Sequence, residues 1–231
     1  MVLELLSGLL VSAEIFAFTL LIALPLGFPI ALGRMSKNPV VSQVFRLYIS
    51  VVRGTPLMLQ ILFVYFAPYY LFGMSLARYP RLLATVLAFS MNYAAYFAEI
   101  YRGGILAVDA GQMEAARSLG MTHWQAMRRV VFPQAIKNSL PAIGNEFIIN
   151  IKDSSVLCVL GVSDLMFMTR SVAGIYYKGT ECYLIAATVY LFLTYLSSLL
   201  LKAITGRMTA PDNTKRRQGN QTVDLGLPSS N

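Results

Sequence analysis

The sequence predicts an all-α membrane protein, a bundle of five transmembrane helices, and three observations carry that prediction. Of its 231 residues, 56% are hydrophobic and 13% charged, where soluble domains carry about 25%, and the mean hydropathy is +0.60. A soluble fold of this size needs a charged shell that such a composition does not supply. The apolar residues gather into long runs almost free of charge, each close to the ~20 residues a helix needs to cross hydrocarbon. The basic residues gather between alternate runs, the mark of a fixed orientation in a bilayer. Helices follow because they satisfy their own backbone in lipid and no alternating barrel pattern is present. The same composition excludes intrinsic disorder. Two cysteines, Cys158 and Cys182, do not make a disulfide scaffold.

The first span is expected over 9–33, built on the uncharged run from Ile15 to Gly33. Met1-Val2-Leu3-Glu4 before it has no basic n-region and no Ala-x-Ala cleavage pattern, so no signal peptide is expected. The second span is expected over 54–77 and the third over 82–101. A loop over 102–137 precedes the fourth, 138–163, which is apolar but holds Glu146, Lys152 and Asp153. The fifth is expected over 182–205, closing a transmembrane domain of residues 1–210. The tail, 211–231, is rich in Asn, Gln, Ser and Gly and is expected to be disordered. Tyr65, Phe66, Tyr69 and Tyr70, with Tyr176, Tyr177 and Tyr183, sit near span ends and read as an interfacial belt. Cys158 reads as an apolar filler and Cys182 as an outer-edge residue.

Orientation follows from Lys and Arg. Arg34, Lys37, Arg46 and Arg53 follow the first span; Arg102, Arg117, Arg128, Arg129 and Lys137 follow the third; Lys202, Arg207, Lys215, Arg216 and Arg217 follow the fifth. The opposite side holds Arg78, Arg81, Arg170 and Lys178. The N-terminus is therefore expected outside and the C-terminus in the cytoplasm. On this reading the net charge of +8 is an orientation signal and not a nucleic-acid footprint, with the Lys215-Arg216-Arg217 run available to anionic lipid.

The 102–137 loop contains two helix signatures. Asp109 caps a small-residue helix that Gly120 stops. Thr122 caps a second, with Gln125 as its capping-box partner, and Trp124, Met127 and Val131 fall at i, i+3 and i+7 on it. An interfacial helix pair would read the same way. A short Ala-rich helix with little apolar bulk is nevertheless a poor lipid anchor, better suited to docking in a protein cleft.

These residues carry a resemblance. Glu114-Ala115-Ala116, three residues, Gly120, nine residues and Val130-Val131-Phe132-Pro133 resemble the EAA loop of ABC importer permeases of type I, with Val for the usual Ile and Phe for the usual Leu. Arg53-Gly54-Thr55-Pro56-Leu57, the string Asn92 to Ile100 with Arg102-Gly103-Gly104 after it, Gly111-Gln112, and Lys152-Asp153-Ser154-Ser155-Val156 resemble motifs of the polar amino-acid uptake branch, in order along the chain. The resemblance implies a coupling helix in which Glu114, Ala115, Ala116, Arg117 and Gly120 contact a cytoplasmic ATPase subunit. It also implies a second permease subunit, identical or paralogous, and an extracellular substrate-binding protein, in the bacterial cytoplasmic membrane. The chain has no G-x-x-x-x-G-K-[ST] phosphate loop, so it is expected to bind no cofactor, to be no enzyme, and to rely on partners that use ATP and magnesium.

Ionisable groups inside a membrane are costly and functional by default. Asn92, Tyr96 and Glu99 share one helical face, and so do Glu146, Asn150 and Asp153 with Ser154 beside them. An amino-acid zwitterion needs an acceptor for its ammonium and donors for its carboxylate. Asn92, Glu146, Asn150, Asp153 and Ser154 are the candidates, with Met58 as a pocket wall beside Gln60. A permanent Glu99–Lys152 ion pair is the structural alternative for those charges, and Arg53 a further partner for the acids. The sole histidine, His123, lies in the loop, which leaves no metal cluster or Ser-His-Asp relay. The function expected is therefore an ATP-driven importer permease for basic, amide or sulfur-containing amino acids. The alternative is an ATP-independent transporter or channel subunit, which internal repeats would favour and which five spans fit badly.

Overall fold

A computed structural model describes residues 2–75 and 80–208. Among them there is helix and no strand. In order they form α1 (Val2–Arg34), α2 (Pro39–Gly54), α3 (Leu57–Phe72), α4 (Arg81–Leu106), α5 (Ala110–Ser118), α6 (His123–Ala126), a π-helical turn (Met127–Val131), α7 (Phe132–Asp153), a 3₁₀ segment (Ser154–Leu160), α8 (Leu165–Tyr176) and α9 (Gly179–Met208). Helices α1, α4 and α9 are each long and apolar enough to cross a membrane; α2 with α3, and the rod ending at Leu160 with α8, pass only as pairs bent by 110° and 54°. The 211–231 tail and the last two residues of the expected second span lie outside the described residues.

Helix α4 is the most buried of the spanning helices and α9 the least. Helix α4 packs on α1, α7, α3 and α2, with Phe89, Tyr93, Ala94, Ala95, Phe97 and Ala98 all buried in the main core. The close approach of α1 is visible at Gly27, where an added Cβ would lie 2.8 Å from the Phe97 Cβ. Tyr101 ties the pair further, its hydroxyl donating to Leu24 O at 3.2 Å.

Two helices depart from the expected layout. Residues 39–54, expected as a basic connection, form α2, opened by Pro39 and capped by Asn38, whose side chain accepts from Val40 N at 3.0 Å. Its apolar residues recur at Val40, Val44, Leu47 and Val51, so it is amphipathic and not charge-free. Residues 165–176, expected outside the bundle, form α8. Asp164 caps it, accepting from Phe167 N at 2.9 Å and Met166 N at 3.2 Å. Its first N–H donates to Ser12 Oγ of α1 at 3.3 Å. The amphipathic helix expected after Thr122 continues into the fourth span without a loop. Pro133 supplies no N–H to the carbonyl four residues before it, and the wider π turn falls just there. Met127 packs with the buried Val131 as expected, but Trp124 is exposed and leaves the shared face. Tyr65 is buried in the core and not part of a belt, and Cys182 is buried against Leu5 and Val172.

Candidate functional site

Helices α4 and α7 run against one another and bring the second acidic face onto a single hydroxyl. Tyr93 is 1% exposed, and its Oη–H donates to Asp153 Oδ2 at 2.8 Å. Glu146 and Asn150, at the helical spacing from Asp153, lie within interaction range of the same hydroxyl. Asn150 is buried, and its Nδ2 completes no hydrogen bond. Asp153 sits where α7 tightens into the 3₁₀ segment. From the α2–α3 corner, the Arg53 guanidinium carbon stands 4.9 Å from the Tyr96 ring centroid, within electrostatic reach of Glu146. The site thus gathers two carboxylates, one guanidinium, a buried amide and a phenol. This set supplies an acceptor for an ammonium, a cation for a carboxylate and neutral partners for the remainder.

The other residues read from the sequence go elsewhere. Asn92, a neighbour of Tyr93 but about 100° around the helix, donates Nδ2 to Gln60 Oε1 at 2.9 Å. Gln60 in turn donates to Val52 O at 2.7 Å and Thr55 O at 3.0 Å, closing the corner between α2 and α3. Ser154 donates to Ile151 O at 2.8 Å and, with Ser12 and Tyr190, lines a separate cavity of about 160 Å³. Met58 is exposed in the first turn of α3. The Glu99–Lys152 pair does not form. Glu99 instead receives Arg34 Nη1 from the end of α1, and Arg102 from its own helix at 3.2 Å (Nε) and 3.0 Å (Nη2); Lys152 is exposed. Tyr93 was absent from the sequence candidates, although its place in the aromatic ridge Phe89, Tyr93, Phe97 puts one polar atom inside an apolar face.

The EAA segment folds as its cap residues dictate. Asp109 accepts from Gly111 N at 2.7 Å to open α5. At its end Gly120 takes φ +82°; its N–H donates to Arg117 O at 3.0 Å and Met121 N–H donates to Ala116 O at 3.2 Å, the paired bonds of a Schellman close. Thr122 and Gln125 make the reciprocal capping box. Ala116 is buried, whereas Glu114, Ala115, Arg117 and Gly120 are exposed, flanked by Leu119 and Trp124, also exposed.

Residues 23–210 match the family described as the inner membrane component of binding-protein-dependent transport systems. The chain belongs to that family. This permease is a transport component of the cytoplasmic membrane and not an enzyme. It is 39% identical over 81% of its length to the probable amino-acid permease YxeN of Bacillus subtilis, covering 84% of that protein. It is 36% identical to the arginine transport system permease ArtQ of the same organism, over 90% of this chain and 93% of that one. It is 35% identical to the nopaline transport system permease NocM of Agrobacterium fabrum, over 86% and 85%. Among solved structures it superimposes on an amino acid ABC transporter crystallised with histidines at a TM-score of 0.82 and 43% identity, over 88% of this chain and 94% of that one. A methionine ABC transporter shares the fold at a TM-score of 0.68 and 19% identity, over 90% and 94%.

Proposed function

We propose that the permease conducts polar L-amino acids, basic, amide or sulfur-containing, into the cell as one half of an ATP-driven importer. The observation that carries this reading is the convergence of Glu146, Asn150 and Asp153 with Arg53 across from them, a charge layout complementary to a zwitterion. The amino-acid transport named for its relatives supports it. Residues 1–210 act as the transmembrane domain with five crossings, counting each bent pair as one. The N-terminus faces outward, and the basic C-terminal tail stays in the cytoplasm. A second permease subunit completes the path, and an extracellular binding protein delivers substrate to it. The exposed edge of α5, with Glu114, Ala115, Arg117 and Gly120, seats in an ATP-binding cassette subunit. That partner binds ATP and magnesium, and its closure moves the bundle between two packings. Asn92 at the α2–α3 corner, Ser154 on the adjoining cavity and Met58 in the first turn of α3 stand outside this charged set.

The test is uptake into proteoliposomes holding the permease with its ATPase and binding protein, with arginine, glutamine and cystine as competitors. ATP-dependent uptake that at least one of these blocks, and that falls in Asp153→Asn and Glu146→Gln, is the expected result. Uptake that persists without any ATPase subunit overturns the ATP-driven reading in favour of a secondary transporter or channel. Unchanged uptake in both variants overturns the pocket.

A further inference from the structure

We propose that Tyr93 is a positioning residue of this site: its hydroxyl fixes Asp153 by one oxygen so that the other is presented to the substrate's α-ammonium. The inference rests on the pocket reading above and adds a residue and a division of labour to it.

A carboxylate facing a translocation path must be held, or its two oxygens sample every rotamer and its direction is lost. Asp153 is held at one point. Its Oδ2 accepts from Tyr93 Oη at 2.8 Å, while its Oδ1 accepts no hydrogen bond from any described residue. The donor itself is immobile. Tyr93 is 1% exposed, and its ring lies 6.1 Å from that of Phe89 and 6.3 Å from that of Phe97 along the same helix face. These aromatic neighbours restrict the ring, so the hydroxyl arrives in one place.

The donor is also neutral. A cationic partner would satisfy the carboxylate's charge outright and compete with a substrate ammonium, whereas a phenol orients it and leaves that charge to be met. Lys152, the adjacent residue, is exposed; its charge reaches Asp153, but it makes no ion pair with it among the described residues. The site's resident guanidinium, Arg53, lies by Glu146 and Tyr96, where it suits the substrate carboxylate. Asn150 Nδ2, buried and without a completed hydrogen bond beside the Tyr93 hydroxyl, is the neutral donor between the two charged ends. An α-amino acid with its ammonium on Asp153 Oδ1 leaves its side chain free to vary, so Tyr93 serves binding of every substrate equally.

The experiment measures KM and maximal rate of ATP-driven uptake, in proteoliposomes of the complete transporter, for Tyr93→Phe, Asp153→Asn and the double variant, each with arginine and with glutamine. Tyr93→Phe keeps the ring packing and removes only the hydroxyl. It is expected to raise KM about tenfold, the size of one lost hydrogen bond to a charged group, with a maximal rate changed less than twofold. On an Asp153→Asn background it is expected to add almost nothing, because there is no charged oxygen left to orient. The rise is expected for both amino acids. Co-purification with the ATPase subunit verifies that each variant has folded and assembled. An unchanged KM in Tyr93→Phe, a full additional effect on the Asp153→Asn background, or a rise confined to arginine overturns the inference while the pocket stands. An unchanged KM in Asp153→Asn takes Asp153 out of the pocket, and the inference with it; the pocket itself falls only when Glu146→Gln is silent as well.

Discussion

At the scale of single residues, the site was half legible in the sequence. Glu146, Asn150 and Asp153 were readable because i, i+4, i+7 spacing is a local property of a helix and survives any tertiary arrangement. Tyr93 was not, because its partner lies 60 positions away and only the packing of α4 on α7 joins them. Glu99 shows the same limit from the other side. The sequence offers Lys152 as the cation inside a span, but the end of α1 delivers Arg34 to Glu99 instead, and nothing local announces that. Gly120 was legible in full, since a helix stop with a residue at φ +82° is a backbone demand. An added Cβ there meets nothing within 4 Å, so substitution is penalised by the left-handed conformation alone, about 1–2 kcal/mol. Gly120→Ala is therefore expected to leave the bundle assembled and to loosen α5, lowering co-purification of the ATPase subunit several-fold. Gly120→Asn, which tolerates that conformation better, is expected to fall between. Equal retention by all three proteins in a pull-down would separate α5 from the ATPase contact.

At the scale of elements, the charge-free runs fall on α1, α3, α4 and α9, because length and polarity are what a bilayer selects, but their bounds differ. The run expected over 9–33 starts well inside α1 (Val2–Arg34), and the charged fourth segment, expected over 138–163, meets an α7 that spans Phe132–Asp153. The same criterion passes over α2, whose opposite face carries Arg46 and Arg53 and breaks the charge-free run, and α8, whose 12 residues are too few to cross alone. Both carry signs that periodicity and capping would have shown: the Val40, Val44, Leu47, Val51 stripe and the Asp164 cap. The element contact with the clearest consequence is the join of α1 to α4. Glu99 accepts from Arg34 and Arg102, and Ser42 Oγ donates to Arg34 O at 2.8 Å. One small cluster thus ties the end of α1 to the start of α2 and to the helix that leads into α5. A partly buried carboxylate left between two guanidiniums is favourable, and a lone charge in the same place is not. Glu99→Arg is expected to lower the yield of assembled complex severely by placing three cations together. Arg34→Glu combined with Glu99→Arg restores a pair and is expected to recover most of that yield. Size-exclusion profiles of the complex in detergent decide the matter, and absence of any recovery would show that Arg34 and Glu99 do not act through each other.

At the scale of the whole molecule, orientation is where sequence statistics and the folded chain can be set against each other. The count of Lys and Arg puts the turns at 34–38 and 102–137 and the C-terminus on one side, and the turn after Phe72 and Lys178 on the other. The fold is compatible with this only if α2 and α3 together make one crossing, because α1 and α4 each pass the bilayer once. The 110° bend between α2 and α3 makes that a real question: were α2 a crossing of its own, every later element would be inverted and α5 would face away from the cytoplasm. Placing α2 along the basic face explains its amphipathic stripe, keeps Arg46 in water, and lets Arg53 reach inward to Tyr96. Single cysteines at Arg128 and Lys178, on a background with Cys158 and Cys182 replaced by serine and alanine, test the arrangement in intact cells. A membrane-impermeant maleimide is expected to label Lys178→Cys from outside, and to label Arg128→Cys only after the cells are opened, since both positions are exposed and lie on opposite sides of the bilayer. The opposite pattern would make α2 an independent span and place α5 where no cytoplasmic ATPase could meet it.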